Sequence, residues 1–117
     1  MGGGSRTPPG AEAGLTLPLV LAPEAEDDLL DAADWYDAQQ PGLGDAFLRS
    51  VDASFARIGR FPRSFPASDR NIRSALLRRF PYAVLFRVRE TRIEVVAVWH
   101  GRRDPDGWLE RLSRSRE

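Results

Sequence analysis

The hydrophobic period changes once along this chain, and the place of the change dictates the class of fold. Before it, apolar residues recur at spacings of three and four. Ala25, Leu29, Ala32, Ala33 and Tyr36 make one stripe, and Phe47, Val51, Phe55 and Ile58 make a second. Each is the mark of a helix with one buried face. From residue 72 onward the period is two. Tyr82, Val84, Phe86 and Val88 alternate with Ala83, Leu85, Arg87 and Arg89, as the side chains of a strand with one buried face must. A chain that runs helices first and strands second segregates them, which points to an α+β architecture.

The punctuation agrees. Pro23 suits a first helical position, and Glu24, Glu26 and Asp27 complement the positive helix end. Pro41-Gly42 stops the first helix, and Gly59 with Pro62 just beyond stops the second. The linker Gln40-Pro41-Gly42-Leu43-Gly44 folds the two helices into a hairpin. A polar loop from Pro62 to Asn71 follows. Strands are expected over Ile72–Arg79, from Tyr82 onward, and over Ile93–Trp99. The last is apolar on both faces apart from Glu94, as a central strand would be. Glu90-Thr91 must close the final hairpin, without the Asn-Gly chemistry that favours tight turns. A short helix is expected over Pro105–Leu112. Ahead of the helices, Leu15–Leu21 reads as a strand that Pro18 confines to a sheet edge. The expected order is β-α-α-β-β-β-α: an N-terminal edge strand and a helical hairpin packed on a mostly antiparallel sheet.

The 117 residues make one domain, expected over 15–117, with residues 1–14 a flexible tail or a remnant of cloning: they hold five glycines and two prolines and too little to bury. No apolar run exceeds five residues (Val95–Trp99), against about 20 for a membrane span, so no membrane association is expected. Cysteine is absent and His100 is the single histidine. That removes disulfides, thiolate nucleophiles and multi-histidine metal sites, and no cofactor or metal is expected. Gly42-Leu43-Gly44 lacks the third glycine of a dinucleotide fingerprint and follows a helix rather than a strand.

A net charge of zero conceals a division. From Glu24 to Ala56 nine acids face one arginine, Arg49, for −8; from Arg57 to Arg103 twelve arginines face three acids, for +9. One half would attract an anionic partner and the other repel it; a plain solvated surface is the other reading. Asp27, Asp31 and Asp34 share a helical face, but no histidine, lysine or apolar pocket is in sight to split their pKa values, and a solvated face is expected.

Chemistry could reside where Arg78-Arg79-Phe80-Pro81-Tyr82 meets Trp99-His100-Gly101-Arg102-Arg103. If the last two strands close at Glu90-Thr91, their far ends come together, bringing Tyr82 and Arg79 near His100 to Arg103. Guanidiniums stabilise negative charge and histidine moves protons near neutral pH, a set able to drive attack of an RNA 2′-hydroxyl on its own phosphate. The alternative is structural: Tyr82 in the core, His100 capping the strand end, and Arg102 and Arg103 paired with Asp104, Asp106 or acids of the first helix.

Four strings in this order, Pro23-Glu24-Ala25-Glu26-Asp27-Asp28-Leu29, Pro41-Gly42-Leu43-Gly44, Arg79-Phe80-Pro81-Tyr82 and His100-Gly101-Arg102-Arg103-Asp104-Pro105, resemble the RelE/ParE superfamily of toxins from bacterial type II toxin–antitoxin modules, over about residues 16–112. The resemblance implies a cytoplasmic toxin neutralised by a cognate antitoxin. ParE-like members poison DNA gyrase; RelE-like members cleave messenger RNA on the ribosome, without metal. In a RelE-like reading the catalytic set would be His100, Arg103, Arg79 and Tyr82. However, Ala83 stands where that branch carries an arginine, and Trp108 about where it carries a tyrosine. The helix-one string and the proline–tyrosine pair look more like ParE, which implies a gyrase inhibitor that works by binding. Its target contacts would be Arg79, His100, Arg102, Arg103 and Trp108. A ribosome-dependent endoribonuclease is the alternative reading, and a non-toxic protein-interaction domain the second.

Overall fold

The computed structural model describes residues 17–68, 70–102 and 107–115. Arg103, the tail expected over residues 1–14, the first two residues of the expected N-terminal strand and the expected helix start at Pro105 lie outside them. The elements are β1 (Leu19–Leu21), α1 (Pro23–Gln39), α2 (Leu43–Arg60), a short 3-10 turn (Pro62–Ser64), β2 (Arg73–Leu76), β3 (Tyr82–Val88), β4 (Ile93–His100) and α3 (Gly107–Ser115). The sheet order is β1-β4-β3-β2. β1 runs parallel to β4, while β2–β3 and β3–β4 are antiparallel. The α+β class, the element order and the edge position of β1 are those the sequence implies.

The hairpin owes its tightness to three residues around one turn. Gly42 adopts φ 91°, a left-handed conformation that costs an L side chain strain. Gly44 lies against α1, and a Cβ there would sit 2.6 Å from the Ala33 carbonyl oxygen. Asp37 on α1 accepts hydrogen bonds from the Gly42 and Gly44 amides at 3.2 and 2.7 Å, so the first helix caps the second. Both stripes face the sheet. Ala25, Ala32, Ala33, Phe47, Val51 and Ile58 are buried together with Val84, Phe86, Ile93, Val95 and Val98.

Some boundaries differ from expectation. The strand expected over Ile72–Arg79 ends at Leu76, because the chain turns back on itself there: the Leu77 amide donates to the Tyr82 carbonyl at 2.9 Å. Leu77 and Phe80 then bury their side chains in the hairpin-facing core, a local turn that a period-two reading cannot show. Arg79 is therefore in a loop. β1 starts at Leu19 rather than Leu15; Pro18 has no amide to give, but its carbonyl accepts from Ile93 at 2.8 Å. α2 runs to Arg60, one residue past Gly59, and α3 continues beyond Leu112 to Ser115.

The β3–β4 hairpin closes at Glu90-Thr91 as expected, with the Arg89 amide donating to the Arg92 carbonyl at 2.8 Å. Its ladder holds an irregularity. Phe86 pairs with Val95 but Leu85 pairs with Ala97, so Val96 is an extra residue in β4. Such a bulge shifts the alternation beyond it by one. Ile93 and Val95 face the helical hairpin, yet so does Val98, while Val96, Ala97 and Trp99 face a second cluster with Leu85, Ile72 and Leu112 of α3. The sheet thus carries the hairpin on one face and α3 on the other.

Candidate functional site

The bulge decides what stands at the open end of the sheet. Beyond it Tyr82 pairs directly with His100, and both rings lie on the hairpin face, centroids 5.0 Å apart and near perpendicular at 77°. The Gly101 amide donates to the Pro81 carbonyl at 2.7 Å, extending the ladder by one bond. The Arg102 amide donates to His100 Nδ1 at 2.9 Å. Nδ1 is thus the acceptor in this contact.

Aromatic rings and carboxylates stand closest about the open space beside His100. Two cavities flank the ring, of about 210 and 360 Å³, and both are lined by Trp35, Tyr82 and His100. The smaller also touches Asp28 and Asp31, the larger Tyr36 and Pro81. Trp35 is 57% exposed and meets Tyr36 edge-on at 5.1 Å. The wall beside His100 is aromatic and acidic because α1 carries seven acids and no base.

Arg102 is exposed at the same sheet end. Arg79 is exposed two residues before Pro81, its guanidinium 5.4 Å from the Phe80 ring. Trp108 is on α3, packed beside the cluster of Trp99 and Leu112 on the opposite sheet face; it does not join His100. Ala83, paired with Trp99, also belongs to that face. Of the expected set, Tyr82, His100, Arg79 and Arg102 share one end of the sheet.

Two charge clusters escaped the sequence reading. Asp28 was one acid among nine, yet its carboxylate accepts from the Val98 amide at 3.0 Å and from Arg111 at 2.6 and 3.1 Å. Arg111 also lies 5.0 Å from the Trp99 ring. With side chains 10% and 14% exposed, this pair fastens α3 to α1 across the edge of β4. Asp27, Asp31 and Asp34 are exposed as expected. At the far end of the sheet Glu94 accepts from Arg87, Arg89 and Arg92 at 3.2, 3.3 and 3.1 Å. Partial burial alone would raise its carboxyl pKa, but the hydrogen bonds and charges of Arg92 and Arg89 outweigh that and hold it below the ordinary glutamate value. Period-two spacing places Arg87 and Glu94 on exposed faces, but only the register shows them opposite each other.

Among the described residues no helix is long and apolar enough to cross a membrane.

Comparison with known proteins follows the same outline. The family model described as "ParE toxin of type II toxin-antitoxin system, parDE" matches residues 19–105. Toxin ParE2 of two Mycobacterium tuberculosis strains, CDC 1551 / Oshkosh and ATCC 25618 / H37Rv, is 34% identical over 93 residues, covering 79% of this chain and 89% of each relative. A solved structure titled "Chromosomal ParDE TA system from P. aeruginosa" superposes with a TM-score of 0.65 at 18% identity, over 73% of this chain and 96% of that one.

Proposed function

The chain belongs to the ParE toxin family of type II toxin–antitoxin systems, and on that premise we propose that it acts in the cytoplasm as a single-domain inhibitor of DNA gyrase, working by binding rather than by catalysis, and is neutralised by its cognate antitoxin. One observation carries the preference for binding: His100 sits in an aromatic groove beside Asp28 and Asp31, with Nδ1 engaged by the Arg102 amide. A histidine in that setting is poorly placed to cleave RNA. Acids at the groove repel phosphates, and RNA affinity rests on neutralising them. Ala83 fits the same preference, since its methyl group packs toward α3 and neither donates a hydrogen bond nor holds charge.

The target contacts in this reading are Arg79, His100 and Arg102 at the open end of the sheet, Arg103, which lies outside the described residues, and Trp108 on α3. Arg79 and Arg102 are exposed there. Trp108 would be reached only by a target that extends around the sheet edge to the other face.

The antitoxin in this reading approaches the arginine-rich half, where an acidic segment finds a complementary field. A purified toxin–antitoxin mixture should elute as one species at physiological salt; two separate species would contradict neutralisation by direct binding. Calorimetric titration of purified gyrase with the chain should give saturable heat, and programmed ribosomes should leave their message uncut. No heat with gyrase and codon-phased cuts in the message would replace this reading with the endoribonuclease.

A further inference from the structure

Among the described target contacts, His100 alone lines the groove at Trp35, whose other walls that reading leaves unused. Its walls are the rings of Trp35, Tyr36, Tyr82 and His100, held in mutual contact: Tyr36 meets Tyr82 at 6.2 Å and Tyr82 meets His100 at 5.0 Å. Pro81 lines the larger of the two cavities that share Trp35, Tyr82 and His100, and Asp31 lines the smaller. Trp35 is one of five large apolar side chains exposed among the described residues, and it lines both cavities beside His100.

The electrostatics select the occupant. α1 presents Glu24, Glu26, Asp27, Asp31, Asp34 and Asp37 around this groove's helix, with no lysine or arginine to offset them. Asp28 already holds Arg111, whereas Asp31 makes no hydrogen bond or ion pair among the described residues. An anionic ligand is repelled, and a purely apolar one leaves the carboxylate beside it desolvated at a cost. A guanidinium answers both surfaces, stacking flat on an indole and offering paired N–H groups to a carboxylate. Its methylene stem covers apolar wall.

We propose that the Trp35–His100 groove is a receptor for an arginine side chain presented by a protein partner, the guanidinium lying on Trp35 and paired with Asp31. This goes beyond the gyrase reading and does not depend on it. Any protein ligand of this face, antitoxin or target, would place an arginine there, and nucleic acid would not.

The test uses the full chain, isotope-labelled, with the Trp35 indole N–H resonance assigned by its loss in Trp35→Phe. A capped Leu-Arg-Leu tripeptide is titrated in, with Leu-Gln-Leu and Leu-Glu-Leu peptides as comparators. The arginine peptide should shift the Trp35 resonance saturably, and the comparators should not. Asp31→Asn, on an exposed helix face, should weaken binding about fivefold or more, while Asp52→Asn on α2 should leave it unchanged. Equal shifts from all three peptides would overturn the proposal, as would no saturable shift. Equal weakening by both variants would reduce it to the general field of the acidic half, and a saturable Trp35 shift with single-stranded RNA would overturn the choice of partner.

Discussion

His100 faces Tyr82 across the last strand pair, with ring centroids 5.0 Å apart, because Val96 is an extra residue in β4. Strict alternation from Ile93 would send Trp99 toward the helical hairpin and His100 toward α3. The single bulged residue reverses both, and it sets Trp99 under Arg111 and His100 beside Trp35. Deleting Val96 should therefore remove the bulge and leave every side chain beyond it on its own face, because Ala97 then follows Val95 opposite Leu85 in strict alternation. The variant should still unfold cooperatively and keep the Tyr82–His100 contact seen by nuclear Overhauser effects. Loss of that contact, with Trp99 moved toward the hairpin, would contradict the assigned register.

The Asp28–Arg111 pair joins α1 to α3 with little exposure to solvent. Removing one partner of such a pair costs about 3–5 kcal/mol, whereas replacing both with apolar groups is often close to neutral. Asp28→Ala should lower urea-unfolding stability by that order and release α3 first, read as early loss of protection in hydrogen exchange. Pairing it with Arg111→Met should recover part of the loss. A single substitution that costs under about 1 kcal/mol would show that the pair behaves as an exposed one.

Gly44 permits the close approach of the two helices. Gly44→Ala places a methyl group 2.6 Å from the Ala33 carbonyl oxygen and 2.9 Å from the Asp37 carboxylate, and neither backbone nor cap can yield freely. The expected cost is about 1–3 kcal/mol, typical of overpacking, with a matching fall in Tm. Gly42→Ala meets open space but must hold φ 91°, so its cost, on the order of 1 kcal/mol, is backbone strain alone.

Glu94 gives the fold an acid-sensitive element. Arg92 and Arg89 hold its folded pKa below the ordinary value despite the opposing effect of burial. As pH falls into that window the unfolded chain takes up the proton first. The contribution is therefore complete above the unfolded pKa and is lost as pH falls through the folded one. Arg89 and Arg92 are about half exposed, so its size should be about 1 kcal/mol or less. Glu94→Gln should be less stable than the parent at neutral pH, and the gap should close in acid and narrow with salt. A constant gap across pH would contradict the ion cluster.

Much of this architecture is legible in the residues themselves. The two stripes, Pro23 at the first helical position and the turn at Glu90-Thr91 all stand where spacing and turn chemistry put them. What escaped depends on relations that periodicity does not encode. A bulge at Val96 leaves no trace in a run that is apolar on both faces, since Val96 and Ala97 are equally at home on either. Asp28 and Asp37 look like their neighbours in a string of acids. Only the partner brought by the fold, Arg111 for one and the Gly42–Gly44 amides for the other, separates them from solvated carboxylates. The site was half legible for the same reason: the hairpin register joined Tyr82 to His100, but the helix lying over them, with Trp35 and Asp31, is set by tertiary packing.

The proposed target contacts make a direct claim on Arg102 and Arg103. Replacing both with alanine should abolish growth arrest on induction while circular dichroism and Tm stay unchanged, because Arg102 is exposed and only its amide bonds His100. Full arrest with the double variant would remove these residues from the target surface.

The central claim is tested most directly by gyrase supercoiling of relaxed plasmid, titrated with the purified chain beside a ribosome-programmed message. The account predicts loss of supercoiled product, appearance of linear cleaved plasmid, and an intact message. Codon-phased cuts in the message with supercoiling undisturbed would contradict it.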